Sequence, residues 1–348
     1  MKKKYRRTKI HTNYRKKRYG RKKTLSKSNI IKIVLKLILV FSISIIFLYL
    51  KIKSEFIKKI HIGINMNNNY VYPCIVYLTS LLHNRGKSSF YIIHILTNNS
   101  TSKESLDKIN QIIDKFGNHS VELNFYNIKG DLKGATIKHY PLAVYYRLSL
   151  PSLLPNVDKI IYTDIDAINL EDLTEMYNIE FKDNMYVCGT LDLIFLIKEL
   201  KKFGINTNKY INAGIMLINL KAMRNDGIEG KIKEFISSHY LRFADQTAIN
   251  AVCYNNIQIL PYKYAIFAND LFKELDKLNN QQDPSYRFNK SELIKAFNEP
   301  TFFHYVAFNK PWNKRYSQFN RVYWWYYAKM SGFYQEILDY YKFNKNYI

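Results

Sequence analysis

A short apolar run that ends in two aspartates constrains the fold of this chain more than any other stretch. Residues 160–162, Ile-Ile-Tyr, predict a buried strand because the run is brief and rich in β-branched residues. Asp164 and Asp166 follow it near the carboxyl end of the strand, the edge at which open α/β sheets bind ligands. Two carboxylates there predict a site for Mg2+ or Mn2+. A turn capped by Asp164 and a solvated Asp166 would explain the same residues without a metal.

The stretches around this strand alternate between the periods of strands and of helices. Strands are predicted at residues 60–65, 90–96, 121–126, 186–190, 212–220 and 302–305, and helices at residues 72–82, 102–116, 143–150 and 245–254. Ser102 and Asp245 are the expected N-caps of their helices, and Pro151 is expected to end the third. Strands that alternate with helices predict an α/β fold with a mainly parallel sheet and right-handed crossovers.

The positive charge of the chain is concentrated at its amino terminus. Residues 1–36 hold 16 Lys/Arg and no acidic residue, which leaves +9 of the net charge of +25 for the remaining 312 residues. Residues 1–29 are expected to be a disordered basic tail, because like charges repel and no apolar period is present. DNA binding by this tail would be nonspecific electrostatics, and we expect no specific nucleic-acid partner.

An apolar run follows the basic tail. Residues 33–50 give 18 residues if Lys36 snorkels to the lipid headgroups, enough to cross a hydrocarbon core of about 30 Å. Residues 30–54 therefore predict a single-pass signal anchor of type II, with a cytoplasmic amino terminus and a lumenal or extracytoplasmic folded domain. A cytosolic protein with a basic tail and a buried helix is the alternative.

Cysteines and glycosylation sequons add little to the compartment prediction. Cys74, Cys188 and Cys253 are far apart and are expected to be buried apolar residues, although a disulfide between two of them is possible. Asn-x-Ser/Thr sequons, which would suit a lumenal glycoprotein but arise by chance in an Asn-rich chain, begin at Asn98, Asn99, Asn118 and Asn289.

Five sequence blocks together resemble the family 8 glycosyltransferases, which include glycogenin and the bacterial galactosyl- and glucosyltransferases that build lipopolysaccharide. The blocks are Tyr-Tyr-Arg-Leu at 145–148, Tyr-Thr-Asp-Ile-Asp at 162–166, Asn-Ala-Gly with Leu-Ile-Asn-Leu at 212–220, Asp-Gln at 245–246, and His-Tyr with Lys-Pro-Trp at 304–312. The resemblance covers roughly residues 60–312. It implies a Rossmann-like GT-A domain at 55–312, followed by an aromatic and basic helical region at 313–348.

The resemblance also implies an activity. The family transfers a hexose, usually from UDP-glucose or UDP-galactose, with Mn2+ (or Mg2+) and with retention at the anomeric carbon. The implied metal ligands are Asp164, Asp166 and His304. The implied donor contacts are Asn67, Asn69, Tyr70, Arg147, Asn212, Asp245 and Lys310. The implied catalytic residues are Gln246, beside the cation-like sugar, and Asp192, facing the acceptor.

Each of these residues also has a plainer reading. His304 lies between aromatic residues and could be a core histidine, Lys310 a solvated loop lysine, and Arg147 a member of a surface ion pair. Asp245 is expected either to pair with a donor hydroxyl or to orient Arg147. The metal would offset charge on the leaving diphosphate, and Lys310 could donate to that diphosphate as a point charge.

Two departures from the family pattern keep other functions open. The loop at 67–70, Asn-Asn-Asn-Tyr, has no carboxylate where the family has an acid before Asn-Tyr, and Ala307 replaces a family glycine. A non-catalytic, membrane-tethered sugar-binding protein is therefore one alternative. A haloacid dehalogenase-type phosphatase is another, although its Asp-x-Asp sits on the first strand. The sequence does not decide between a glycan, a lipid and a protein as the acceptor, and it does not decide whether the chain forms a homodimer.

Overall fold

The computed structural model describes residues 27–128, 142–192, 197–267, 290–306, 310–314 and 320–343. Its contacts divide the chain into two units, Met1–Phe56 and Ile57–Ile348. The described part of the first unit is helix α1, Lys27–Phe56, within which Lys27–Ile46 is long and apolar enough to cross a membrane. A signal sequence would meet the same criteria of length and composition. The anchor and its orientation therefore stay predictions.

The second unit is built on a seven-stranded sheet. Its strands are β1 (Lys58–Asn65), β2 (Ser89–Thr97), β3 (Val121–Asn127), β4 (Lys159–Thr163), β6 (Val187–Leu191), β7 (Ile211–Asn219) and β8 (Ile257–Ile259). Their order is β3-β2-β1-β4-β7-β6-β8. Every adjacent pair is parallel except the two that involve β7, which runs antiparallel to β4 and to β6. The predicted α/β class with a mainly parallel sheet is confirmed.

A smaller sheet lies beside the Asp-x-Asp segment. Its strands are β5 (Ala167–Asn169), β9 (Ile266–Phe267) and β10 (Phe302–His304), in the order β5-β10-β9. Strand β5 begins directly after Asp166 and pairs antiparallel with β10, so that Ala167 lies opposite His304. This register brings a C-terminal strand next to the predicted metal ligands.

The helices cover the large sheet. They are α2 (Val71–His83), α3 (Lys103–Phe116), α4 (Leu150–Leu153), α5 (Thr174–Tyr177), α6 (Ile197–Lys201), α7 (Leu220–Asn225), α8 (Ile228–Ser238), α9 (Ala244–Val252), α10 (Lys290–Asn298), α11 (Arg321–Ser331) and α12 (Tyr334–Tyr340). Ser102 caps α3 as predicted, accepting a hydrogen bond from the Ser105 backbone.

Two local predictions were wrong. Residues 142–149 form a 3-10 helix, and Pro151 lies in the first turn of α4 instead of ending a helix. Proline is tolerated there because a first-turn N–H has no partner within the helix. Asp245 does not cap α9: Phe243 holds the cap position, and the Asp245 carboxylate faces Arg147 instead.

The C-terminal helices pack into the main core. Trp324 and Trp325 on α11 are buried in the same hydrophobic cluster as α2 and the β1–β2 strands. Trp325 Nε1 donates to the carbonyl of Pro311 at 3.1 Å, and Trp312 packs on Trp324. The described residues of this region form helices whose aromatic side chains pack in the core. These contacts also fix the short segment that carries Lys310.

Candidate active site

Three chain segments meet at the carboxyl end of β4. The Asp164 backbone N–H donates to the Gly214 carbonyl at 2.6 Å, and the Tyr305 N–H donates to the Asp166 carbonyl at 2.9 Å. These bonds tie the Asp-x-Asp segment to β7 on one side and to the end of β10 on the other. The site is therefore held by the backbone of both sheets.

Asp164, Asp166 and His304 form a cluster with the composition of a metal site. One ligand atom from each lies within 4.8 Å of the others. His304 Nε2 is 3.2 Å from Asp166 Oδ1 and 3.9 Å from Asp164 Oδ2. Asp166 Oδ1 is buried and, within the described residues, receives no well-aligned hydrogen bond, so it is available to a cation. Two carboxylates and an imidazole suit Mn2+ better than Ca2+.

Gly214 makes room for this cluster. A Cβ on Gly214 would lie 2.2 Å from His304 Cε1 and 2.8 Å from Asp164 Oδ2. A side chain at this position would therefore displace the imidazole or the carboxylate. Because the glycine of the Asn-Ala-Gly block has no side chain, His304 and Asp164 can lie close to the backbone of β7.

Lys310 contacts the outer oxygen of Asp166. Its Nζ lies 2.5 Å from Asp166 Oδ2 and donates to the Tyr305 carbonyl at 2.6 Å. Burial raises the pKa of Asp166, but Lys310 and His304 outweigh it and hold this pKa well below its usual value. Asp166 is therefore a carboxylate at neutral pH.

Arg147 contacts Asp164 Oδ1 and is held by hydrogen bonds and ion pairs within the protein. The guanidinium is buried, donates to Asp164 Oδ1 at 2.8 Å and to the Ala213 carbonyl at 2.5 Å, and lies 2.8 Å from Asp245 Oδ2. We expected Arg147 to contact donor phosphate or sugar, or to form a surface ion pair. The ion pairs it forms are buried and not on the surface, because Asp164 after β4 and Asp245 on α9 place a carboxylate on each side of it, and the donor contact stays a prediction.

Tyr162 was not predicted to be a site residue. Its hydroxyl donates to Asp164 Oδ1 at 2.8 Å, and its ring lies 4.4 Å from the Arg147 guanidinium carbon. Burial raises the pKa of Tyr162 well above its usual value, so it stays a donor. The signal was present, since residues two apart along an extended segment point to the same side.

Asp245 is a buried carboxylate at the start of α9. Burial raises its pKa to about 6, although the Arg147 guanidinium opposes this shift. The preceding residue, Ala244, has φ of 42°, in the left-handed region that non-glycine residues rarely adopt. Of the two predicted roles for Asp245, the observed contact is the one with Arg147.

Asp192, Asn212 and Gln246 form one hydrogen-bonded network. Asp192 Oδ2 accepts from Asn212 Nδ2 at 2.9 Å and from Gln246 Nε2 at 3.0 Å. Gln246 Oε1 accepts from the Ala213 backbone N–H at 3.1 Å. The structure thus brings together three predicted site residues, from the end of β6, from β7 and from α9.

The loop after β1 lies on the side of Lys310. Asn67 Oδ1 accepts from the Asn69 backbone N–H at 3.0 Å and opens a short 3-10 turn. The Tyr70 ring meets the Trp312 ring edge-on, with centroids 6.2 Å apart. Burial and the nearby Asp166 carboxylate raise the pKa of Tyr70. Ala307, the second departure from the family pattern, lies outside the described residues.

Solved structures similar to this chain share its fold. A galactosyltransferase, LgtC, solved in complex with donor and acceptor sugar analogs, has a TM-score of 0.62 at 19% identity, covering 78% of this chain and 95% of LgtC. The bifunctional glycosyltransferase WbbM has a TM-score of 0.67 at 21% identity, covering 81% of this chain and 51% of WbbM. At these identities the likeness shows the fold alone, and this chain spans about half of WbbM.

Sequence comparisons show the family. General stress protein A of Bacillus subtilis (strain 168) is 24% identical over 262 residues, 73% of this chain and 87% of that protein. The lipopolysaccharide 1,2-glucosyltransferase of Escherichia coli is 23% identical over 273 residues, 75% of this chain and 76% of that protein. The family model "Glycosyl transferase family 8" matches residues 61–315, most of the chain. With its fold, its Asp-x-Asp-His cluster and this match, the chain belongs to glycosyl transferase family 8.

Proposed function

We propose that this chain is a metal-dependent, retaining hexosyltransferase that moves glucose or galactose from a UDP-sugar to a glycan, lipid or protein acceptor. The observation that carries the proposal is the cluster of Asp164, Asp166 and His304, whose ligand atoms lie within 4.8 Å of one another. A glucosyltransferase and a galactosyltransferase among the similar proteins support a hexose as the transferred group.

A divalent ion and Lys310 would supply positive charge to the leaving diphosphate. Asp164, Asp166 and His304 would hold an ion such as Mn2+, which would offset the charge that develops on the phosphate oxygens. Lys310 lies beside Asp166, on the same side as Tyr70, where it can donate to the diphosphate. Tyr70, Asn67 and Asn69 would then hold the nucleoside.

We assign binding of the sugar to Asp192, Asn212 and Gln246. Asp245 would hold the Arg147 guanidinium in place. The three network residues have amide and carboxylate groups joined by hydrogen bonds of 2.9 to 3.3 Å. Such a network fixes each side chain before substrate arrives, which limits the entropy lost on binding. Asp192 is the network member that we assign to the acceptor side.

The state of Gln246 favours attack from the face of the leaving group. Its Oε1 accepts from the Ala213 N–H and from Asn212 Nδ2, and an amide oxygen is a poor nucleophile. The acceptor oxygen would form its bond to the anomeric carbon while the bond to the diphosphate oxygen breaks. The acceptor proton would pass to that phosphate oxygen, and Gln246 would stabilise the cation-like sugar. A sugar adduct on Gln246, detected by mass spectrometry, would overturn this mechanism.

We also propose that the chain is a single-pass type II membrane protein. Helix α1 includes a stretch of sufficient length and apolar character, and the basic residues that precede it favour a cytoplasmic amino terminus. The folded unit from Ile57 onward would then be lumenal or extracytoplasmic. Protease protection of this unit in sealed vesicles tests the orientation, and digestion from the cytoplasmic side would overturn it.

A donor screen tests the proposed function. The purified full chain, in detergent, is incubated with UDP-glucose, UDP-galactose and other nucleotide sugars, with and without Mn2+, and UDP release is measured. We expect Mn2+-dependent release that Asp164→Asn abolishes. Asp158→Asn is the matched control, because Asp158 is 70% exposed and lies outside the cluster, paired with Lys221 at 3.6 Å. Sugar binding without turnover would support the non-catalytic alternative, and hydrolysis of simple phosphoesters would support a phosphatase.

A further inference from the structure

The two oxygens of the Asp164 carboxylate have different surroundings. Oδ1 accepts hydrogen bonds from Arg147 Nη2 and Tyr162 Oη, each at 2.8 Å. Oδ2 faces the other metal-site residues and lies 3.9 Å from His304 Nε2. Because two donors already engage Oδ1, Asp164 offers a cation one oxygen rather than two.

Asp166 repeats this arrangement. Lys310 Nζ contacts its Oδ2 at 2.5 Å, while Oδ1 is turned toward His304 Nε2 at 3.2 Å. Each carboxylate thus gives one oxygen to a cationic side chain and directs the other toward the imidazole. The cluster directs one oxygen of each aspartate and one nitrogen toward a shared point, and Asp164 is the carboxylate whose other oxygen is engaged by two donors.

Such a donor set distinguishes cations by size. Ca2+ takes about six to eight oxygen ligands and often uses both oxygens of a carboxylate, whereas Mg2+ and Mn2+ accept about six ligands in regular geometry. A carboxylate limited to one oxygen therefore disfavours Ca2+. The residues that limit it act on the choice of metal without touching the metal.

We propose that Tyr162 is a specificity-determining residue of the metal site: together with Arg147 it occupies Asp164 Oδ1, holds Asp164 to one-oxygen ligation and so discriminates against Ca2+. The inference rests on the proposed metal-dependent function. Tyr162 is fixed for this role, because it is fully buried on β4, pairs with Met216 of β7 and packs its ring on the Arg147 guanidinium.

Tyr162→Phe is the sharpest test, since it removes one hydroxyl and keeps the ring beside Arg147. Tyr77→Phe is its matched control: Tyr77 is equally buried beside the same strand, but its hydroxyl accepts from Thr163 instead of bonding Asp164. Mn2+ binding to the full chain is measured by electron paramagnetic resonance, and Ca2+ binding by competition, both with and without UDP. Thermal denaturation checks that each variant is folded.

We expect Tyr162→Phe to raise the Kd for Mn2+ about tenfold, as the loss of partners of metal ligands commonly does, while the Kd for Ca2+ does not rise. The preference for Mn2+ over Ca2+ should then fall about tenfold, with Tyr77→Phe unchanged. In the infrared spectrum of the Ca2+-loaded variant, the separation between the two carboxylate stretches should narrow as Asp164 becomes bidentate.

The outcomes separate the inference from the function on which it rests. If wild type binds Mn2+ and Tyr162→Phe shifts both affinities equally, or neither, Tyr162 is only structural and the inference is overturned. If wild type binds no Mn2+ in either condition, the proposed function and the inference both fall. If Tyr77→Phe changes the preference as much as Tyr162→Phe, the effect does not act through Asp164, which also overturns the inference.

Discussion

Gly214→Ala tests the metal site directly, because a side chain at this position collides with its residues. The added Cβ would lie 2.2 Å from His304 Cε1, 2.8 Å from Asp164 Oδ2 and 2.9 Å from Asn212 Oδ1. Carbon atoms pack at about 3.5 to 4.0 Å, so the imidazole has to withdraw by more than about 1 Å. His304 is buried and packs near the Phe267 ring, which leaves it little room to do so.

The magnitude follows from that displacement. A misplacement of about 1 Å at a reacting site costs about 100-fold in rate, equivalent to about 2.7 kcal/mol of transition-state stabilisation. We expect Gly214→Ala to lower kcat/KM for the donor by at least about 100-fold and to raise the Kd for Mn2+ about tenfold or more. UDP release and Mn2+ titration of the full chain measure the two effects.

Gly230→Ala is the matched control for this experiment. Gly230 lies in the first turn of α8, and apart from its chain neighbours and the backbone of its own helix, no described atom lies within 4 Å of a Cβ built on it. Alanine in this first turn meets no steric obstacle, so the variant should fold and leave catalysis unchanged. If Gly214→Ala is folded and matches wild type in both Mn2+ affinity and UDP release, the close approach of His304 and Asp164 is not what the site requires.

Two further predictions concern stability. Burial, with a smaller contribution from His61, lowers the pKa of His94 to about 4, so the folded protein keeps this ring neutral where the unfolded chain protonates it. Stability should be full above about pH 6.5 and fall by about 3 kcal/mol as the pH drops to 4, and His94→Gln should flatten that dependence in urea unfolding. Trp325→Ala should cost about 3 to 5 kcal/mol of unfolding free energy, because this buried ring fills the core beneath α11. An unchanged urea midpoint for Trp325→Ala would contradict its packing role.

The predicted strands and helices largely match the structure because their signals are local. The large-sheet strands had the apolar runs expected of buried elements, and Ser102 had the chemistry of an N-cap. The antiparallel direction of β7 was not predicted, since it depends on the route that the chain takes between β6 and β7 and not on any local pattern. The 3-10 helix at 142–149 was missed for a related reason: its apolar period suits either helix type.

The candidate site was predicted in composition but not in its supporting contacts. The Asp-x-Asp segment and the family blocks identified the residues that gather around His304. The pairing of Arg147 with both Asp164 and Asp245 required the fold, because α9 and the 142–149 helix are far apart in sequence and meet only in three dimensions. The position of Tyr162, two residues before Asp164, indicates that the two side chains point to the same side, but an aromatic residue in a buried strand gives no separate sign of a polar role.

The metal cluster depends on the register of the small sheet. His304 lies beside the Asp-x-Asp segment because β10 pairs with β5 so that His304 is opposite Ala167, directly after Asp166. A slip of one residue would turn His304 to the other face and place Phe303 in the cluster. That register is reinforced from the C-terminal side, where the Tyr305 hydroxyl donates to the Asn320 carbonyl at 2.8 Å. The C-terminal helices therefore act on the metal site through the strand that they hold in place, and their loss would disturb metal binding without removing any ligand.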